Sequence, residues 1–139
     1  MSITTTTHLN FRGQAREALE FYASVTGGRI DAVTYADANA VTAPDEADQL
    51  MWGQVVSEAG FRVMAYDVPA HTAYDPGTIP VFVSLRGSDV DELHRLWDGL
   101  SEGAAVVVPL APATWSPLYG MLRDRFGVTF VVDLEVAWG

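Results

Sequence analysis

The residues best suited to chemistry in this chain are a histidine near its start and an aspartate near its end, His8 and Asp133. An imidazole titrates close to neutral pH, so it serves as a general base or as a hydrogen-bond partner. The other two histidines, His71 and His94, fall in a linker and on a helix surface. The chain has no cysteine, which excludes disulfides, thiolate metal sites and a cysteine nucleophile.

Alternation along the strands predicts which side chains share a surface. One face is entirely apolar and is expected to pack on helices: Leu9, Phe11, Val63, Ala65, Val83, Leu85, Phe130 and Val132. The opposite face mixes apolar and polar groups, as a ligand cavity does: His8, Asn10, Met64, Tyr66, Phe82, Ser84, Val131 and Asp133. We predict that this second set binds a ligand, with Trp115 and Tyr119 as aromatic walls at the mouth. A second core layer or a dimer contact is the alternative.

Individual roles stay open on the sequence. His8 is the one candidate catalytic residue, and the competing interpretation is a histidine whose hydrogen bonds go to backbone or water. Asp133 either orients His8, holds a cationic ligand group, or reaches solvent at the end of its strand. Trp115 and Tyr119 either line the cavity or pack the loop around them. No phosphate-binding glycine loop, nucleophile elbow or dinucleotide fingerprint is present.

The elements that position these residues occur twice. Trp52, Gly53 and Gly60 recur as Tyr119, Gly120 and Gly127, each 67 positions further on. Both stretches are typical of a hairpin, with a glycine in the turn and β-branched or aromatic residues after it. The front parts match at a different spacing, with Arg12-Gly13 set against Arg86-Gly87. A repeated unit decides the fold more than any single residue does.

Each half is predicted to run β-α-β-β-β. The expected elements are strands at 4–11, 29–36, 81–86 and 104–108, helices at 14–25 and 88–100, and hairpins at 52–67 and 118–134. Ser88 and Asp91 resemble a capping box, Gly103 is expected to close the second helix, and 37–49 and 109–117 are predicted loops. The fold class is therefore α+β: two βαβββ modules forming an open, mostly antiparallel, barrel-like sheet with helices outside.

Length and charge restrict the partners. The 139 residues suit a single domain, with module 1 at about 1–68, a linker at about 69–78 and module 2 at about 79–139. The net charge of −10 argues against nucleic acid and anionic membranes, which need a basic surface. No apolar run is long enough to span a bilayer and no signal pattern opens the chain, so a cytoplasmic protein is expected.

Several stretches resemble a known family. Leu9-Asn-Phe-x-Gly-x-Ala-x-Glu-Ala-Leu-Glu-Phe-Tyr22, Trp115 with Tyr119-Gly-Met121, and Asp124-x-Phe-Gly-Val128 are similar to the PhnB-like branch of the vicinal oxygen chelate superfamily. That branch also carries the description "3-demethylubiquinone 3-methyltransferase-like". The superfamily includes glyoxalase I, bleomycin-resistance proteins and extradiol dioxygenases. The resemblance covers nearly the whole chain and implies the same two-module fold and a homodimer.

The resemblance also implies where a metal would bind. Metal-binding members take up to four ligands from the first and last strand of each module, and these positions fall near His8, Phe82, Met64 and Val131. Only His8 is a metal ligand by type, whereas catalytic sites normally show three protein ligands. We therefore expect no metal and no cofactor; nothing suggests a site for S-adenosylmethionine.

Three functions remain under consideration. The first is a metal-independent protein that binds an apolar or aromatic small molecule, as bleomycin-resistance relatives do. The alternative is a lyase, isomerase or dioxygenase acting through a divalent metal or through His8, with Tyr66 and Asp133 as further acid–base groups. The third is a dimeric scaffold in which partner side chains fill the mixed face. Metal binding separates the first two.

Overall fold

The computed structural model describes residues 4–79 and 81–136. The chain divides into two compact units, Met1–Gly77 and Thr78–Gly139, which we call module 1 and module 2. This division lies inside the region predicted as a linker. Among the described residues, none of the helices combines the length and the apolar character that crossing a bilayer requires.

Module 1 follows the predicted order of elements. Its elements are β1 (Thr7–Phe11), α1 (Ala15–Thr26), β2 (Arg29–Thr34), a short 3₁₀ helix (Pro44–Glu46), β3 (Leu50–Val56) and β4 (Arg62–Asp67). The sheet order is β1-β4-β3-β2. β1 pairs with β4 in parallel, whereas β3 is antiparallel to both of its neighbours. The 3₁₀ helix lies in the stretch predicted as a loop.

Module 2 repeats this arrangement. It contains β5 (Val83–Gly87), α2 (Val90–Leu100), β6 (Ala105–Ala113), β7 (Ser116–Arg123) and β8 (Thr129–Leu134), in the sheet order β5-β8-β7-β6. The β5–β8 pair is parallel and the other two pairs are antiparallel. The described chain is thus an α+β fold with two unclosed, mostly antiparallel four-stranded sheets, which confirms the predicted fold class.

Burial alternates along β1 and β4 as the sequence predicts, whereas β8 is buried on both of its faces. In β1 and β4, Leu9, Phe11, Val63 and Ala65 are buried, whereas the residues between them are exposed or half-buried. The buried side faces α1, whose Ala15, Ala18, Leu19 and Tyr22 form its buried stripe. We call the other side of each sheet its helix-free face, because no helix of the same module covers it.

In each module, one glycine of the sheet lets the helix approach closely. A Cβ atom built on Gly53 would lie 2.5 Å from Leu19 Cδ1, and one built on Gly120 would lie 2.8 Å from Trp97 Cζ3. Carbon atoms pack at about 3.5–4.0 Å, so neither position has room for a methyl group. The repeated glycine of the hairpin strand is therefore a packing device, used once in each module.

The two helices begin in different ways. The buried carboxylate of Asp67 accepts hydrogen bonds from Gly13 N (2.7 Å) and Ala15 N (3.0 Å) at the start of α1, and from Leu50 N at 2.9 Å. In α2 the cap is local, because Asp89 accepts from the backbone of Asp91 and Glu92. The predicted Ser88–Asp91 capping box is wrong, since Asp89 satisfies the first amides instead.

Tyr35, which contacts Asp67, is expected to make the stability of module 1 fall at alkaline pH. Tyr35 is buried and its hydroxyl donates to the backbone carbonyl of Asp67 at 2.7 Å. Burial, with smaller contributions from Tyr66 and Asp67, raises the pKa of Tyr35 above its ordinary value of 10.0. A raised pKa in the native state stabilises the fold below the unfolded pKa, and this contribution is lost as pH rises through the native pKa.

We therefore expect the free energy of unfolding of the wild type to fall as pH rises above about 10. Tyr35→Phe should cost about 1 kcal/mol at pH 7 through the lost hydrogen bond. Its stability should then decline less steeply above about pH 10, because the titrating group is gone. Urea unfolding at a series of pH values checks this. Parallel pH profiles for the two proteins would contradict the assigned role of Tyr35.

One predicted loop is wrong. Residues 109–117 were expected to be irregular, but β6 runs to Ala113 and β7 starts at Ser116. Prolines are tolerated in strands at edges and bulges, and β6 is an edge strand whose pairing with β7 shifts register three times. The predicted end of α2 is also wrong in one respect. The helix ends at Leu100 with Ser101 as its C-cap, so Gly103, which has a positive φ of 76°, lies beyond the cap and does not close the helix.

Candidate functional site

The helix-free face of module 1 gathers four predicted site residues. His8 pairs in register with Met64, and Asn10 pairs with Tyr66. The His8 ring meets the Tyr66 ring edge-on, with centroids 5.3 Å apart, and His8 Nδ1 lies 3.0 Å from Asn10 Oδ1. The pairing of β1 with β4 therefore brings these four side chains together, as alternation predicted.

Sequence reasoning missed two members of this face. The indole N–H of Trp52 donates to the sulfur of Met64 at 3.2 Å, so Trp52 belongs to the same cluster. Gln54, which pairs with Met64 across the sheet, donates to Asp31 Oδ2 at 3.0 Å. The same alternation rule, extended to β3, would have found both residues. The hydrogen bond from Gln54, ahead of the charge of Arg29, lowers the pKa of Asp31.

A clamp fixes the chain next to this face. The Arg12 guanidinium donates to the backbone carbonyls of Val68 (3.2 Å), Pro69 (3.2 Å) and Thr72, and lies 5.2 Å from the centre of the Tyr74 ring. The Tyr74 hydroxyl in turn donates to the backbone carbonyl of Asn10 at 3.1 Å. Buried Glu46 accepts from Ala70 N at 2.7 Å. The residues after β4 are thus held against the end of β1.

The helix-free face of module 2 holds a second group of predicted residues. Ser84 pairs with Val131, and Tyr119 pairs with Asp133. Asp133 is buried and accepts two hydrogen bonds from Arg86, to Oδ1 at 3.3 Å and Oδ2 at 3.1 Å. The hydrogen bond to Asp133, followed by the charge of that carboxylate, raises the pKa of Arg86. The predicted alternative in which Asp133 reaches solvent at the end of its strand is therefore wrong. Its cationic partner is Arg86, on the neighbouring strand of the same sheet.

The two remaining predicted residues lie outside the sheet faces. Phe82 precedes β5 and is 49% exposed, and Trp115 sits in the turn between β6 and β7 at 62% exposure. Trp115 meets Tyr119 edge-on, with ring centroids 5.1 Å apart. Trp115 therefore reaches the neighbourhood of the module 2 face through Tyr119, whereas Phe82 contributes no paired position to it.

Strand pairing corrects one of the implied ligand positions. His8 lies opposite Met64, and the matching position opposite Val131 is Ser84, not Phe82. The four positions thus carry an imidazole, a thioether, a hydroxyl and an isopropyl group. This donor set does not fit a divalent ion, which takes about three protein ligands in catalytic sites. Within residues 4–79 and 81–136, no three side chains of His, Cys, Asp or Glu form a group able to hold a metal.

The described chain consists of two βαβββ modules, each with one α-helix on a mixed four-stranded sheet. The chain belongs to the Glyoxalase/Bleomycin resistance protein/Dioxygenase superfamily, whose family model matches residues 7–132. This confirms the resemblance noted in the sequence.

Solved structures agree with that membership. Protein PA1353 from Pseudomonas aeruginosa is 33% identical, with a TM-score of 0.82 over 96% of this chain and 98% of that one. A putative 3-demethylubiquinone-9 3-methyltransferase, PhnB protein, from Bacillus cereus is 22% identical, with a TM-score of 0.73 over 96% of this chain and all of that one. A search of curated proteins finds no match.

Proposed function

We propose that this protein binds an apolar or aromatic small molecule and that binding needs no divalent metal. The observation that carries the proposal is the cluster on the helix-free face of module 1, where Trp52, Met64, Tyr66 and His8 contact one another in two pairs. All four are exposed or half-buried. Aromatic and thioether groups with a few placed polar atoms are the usual lining of a small-molecule site.

The donor set at the family's ligand positions supports the metal-independent part. A single imidazole is a poor site for a divalent ion, and the thioether of Met64 is a soft ligand that suits Cu(I) better than Mn. The Met64 sulfur also accepts the Trp52 N–H. Met64 is therefore better suited to contacting an apolar ligand than to coordinating an ion.

Met64→Glu tests the site. A carboxylate in the middle of the cluster should weaken binding of aromatic compounds at least about thirtyfold, since the charge must be desolvated when the ligand covers it. A thermal-shift screen of aromatic and antibiotic-like compounds identifies a ligand, and titration calorimetry then measures its dissociation constant. Val41→Glu introduces the same carboxylate at an exposed loop position and should bind as the wild type does. Unchanged binding by Met64→Glu would place the ligand elsewhere.

The enzymatic alternative makes the opposite prediction in the same samples. A lyase, isomerase or dioxygenase using a divalent metal would take up Ni, Zn, Fe(II) or Mn stoichiometrically in untagged protein, and His8→Ala would abolish uptake. That result would overturn the proposal. Binding of aromatic compounds by metal-free protein, unaffected by added Zn or by a chelator, would support it.

We further propose that the protein is a homodimer joined through β6. Three valines of this edge strand, Val106, Val107 and Val108, are exposed at 49%, 57% and 37%. The stretch 104–115 contains no charged residue in a chain of net charge −10. Two copies meet along such a strip with little like-charge repulsion, and its two prolines and its bulges limit further edge-to-edge pairing.

Val107→Glu should shift the protein from dimer to monomer in light scattering coupled to size-exclusion chromatography. A carboxylate in the centre of the strip places two like charges opposite each other and must be desolvated in the dimer. Val41→Glu, an exposed valine of module 1, adds the same charge and should leave the mass unchanged. A monomeric wild type, or a Val107→Glu variant that stays dimeric, would rule out this interface.

A further inference from the structure

The hydrogen bond between His8 and Asn10 determines which ring nitrogen carries the proton. His8 Nδ1 faces the carboxamide oxygen of Asn10 at 3.0 Å. A carboxamide oxygen only accepts hydrogen bonds, so this contact is a hydrogen bond when Nδ1 carries the proton. In the neutral ring Nε2 then keeps its lone pair. We infer that His8 presents Nε2 as a hydrogen-bond acceptor on the helix-free face of module 1, and that the ligand there is an aromatic molecule carrying an O–H or N–H donor.

Asn10 acts as a positioning residue for the ring. Its backbone carbonyl is held by the Tyr74 hydroxyl at 3.1 Å, and Tyr74 lies against the Arg12 guanidinium. Its strand partner Tyr66 contacts the imidazole edge-on. The ring is therefore supported on two sides, which lowers the ordering cost when a ligand binds. The clamp of Arg12 on the residues after β4 thus serves His8 indirectly.

Two of the donors in this cluster are already engaged. The Trp52 N–H bonds the sulfur of Met64, and the Gln54 amide bonds Asp31. His8 is exposed, and its imidazole is the cluster group that combines an accessible acceptor nitrogen with a fixed orientation. Aromatic and thioether surface beside the Nε2 acceptor matches a phenol or an indole. At Nε2 itself a carboxylate is disfavoured, because its lone pairs would face that of the ring nitrogen.

The inference rests on the proposed function, because it requires a ligand on this face. Its first test needs no ligand. Long-range ¹H–¹⁵N correlation spectra of ¹⁵N-labelled protein at alkaline pH, where the imidazole is neutral, report which ring nitrogen of His8 is protonated. We expect the Nδ1–H tautomer in the wild type and in Asn10→Asp, which keeps an acceptor oxygen, and its loss in Asn10→Ala. A dominant Nε2–H tautomer in the wild type would overturn the inference.

The second test compares 4-methylphenol with 4-methylanisole, which has the same ring but no O–H to donate. One net hydrogen bond is worth up to about tenfold in affinity, so the phenol should bind the wild type about tenfold tighter. In His8→Ala the two dissociation constants should become equal, whereas Thr7→Ala, at the exposed neighbouring position, should keep the tenfold ratio.

The outcomes separate the inference from the proposal beneath it. Equal binding of the two probes to the wild type, with resonances of Met64 and Tyr66 perturbed by both, would refute the acceptor role of His8 while the binding site stands. If neither probe perturbs those resonances and neither binds, the proposed site itself fails, and the inference fails with it.

Discussion

Replacing Asp67 by alanine should lower the free energy of unfolding by about 4 kcal/mol, the largest effect expected of a single substitution here. The carboxylate is 2% exposed and accepts from the backbone amides of Gly13, Ala15 and Leu50. Its removal leaves three N–H groups without a partner, each at about 1–3 kcal/mol, which neighbouring water only partly restores. The midpoint of thermal unfolding should fall by about 12 °C for a domain of this size.

Asp89→Ala is the matched control for this prediction. Asp89 caps α2 in the same way, because its side chain accepts hydrogen bonds from two backbone amides. It is exposed, however, and an exposed N-cap contributes about 1 kcal/mol. Asp67→Asn should fall between the two, because an amide keeps one acceptor oxygen and places a donor against a donor. If Asp67→Ala costs no more than Asp89→Ala, the buried carboxylate is not the cap of α1.

Gly120→Ala should destabilise the protein by about 2 kcal/mol. The added Cβ would lie 2.8 Å and 2.9 Å from Cζ3 and Cη2 of Trp97, and 3.0 Å from Leu110 Cα. Trp97 is a buried residue of α2 and the Leu110 contact is backbone, so neither atom yields cheaply. This cost exceeds the gain of up to about 1 kcal/mol that alanine brings over glycine through the unfolded chain.

Two further variants make the Gly120 measurement decisive. Gly87→Ala places its Cβ 3.4 Å from Leu93 Cδ2, an ordinary contact, and should change stability by less than about 0.5 kcal/mol. Trp97→Phe removes the two indole atoms nearest to the new methyl group, so Gly120→Ala should cost less in that background than in the wild type. Additive effects in this double-mutant cycle would show that the ring is not what Gly120 accommodates.

The repeat and the face assignments could be predicted because they depend on short-range patterns. Glycines at a fixed spacing mark the hairpins, and alternation in β1 and β4 places Leu9 and His8 on opposite faces, as the burial confirms. What failed was the match of Arg12-Gly13 with Arg86-Gly87. The second pair lies inside β5, whereas the first follows β1, so Phe82 was aligned with His8 in place of Ser84.

The site contacts that sequence could not supply are those between distant residues. Asp67 at the end of a strand looks no different from a solvated aspartate, and its three amide partners lie 17, 52 and 54 positions earlier. Arg86 and Asp133, 47 positions apart, become partners only through the register of β5 with β8. Pro109 and Pro112 make the second half of β6 resemble a loop. Edge strands tolerate prolines, but edge position is a property of the whole sheet and cannot be read from a short stretch.

The unequal caps of the two helices have a consequence for the order in which the modules fold. α2 carries its cap two residues from the amide that it serves, so its first turn closes within a short loop. α1 receives its cap from the last strand of its module, across a separation of 54 residues. Closing a loop of that length costs conformational entropy before the cap can form. We therefore expect α2 to form early in a transition state built from local contacts, and α1 to be completed only when β4 joins the sheet.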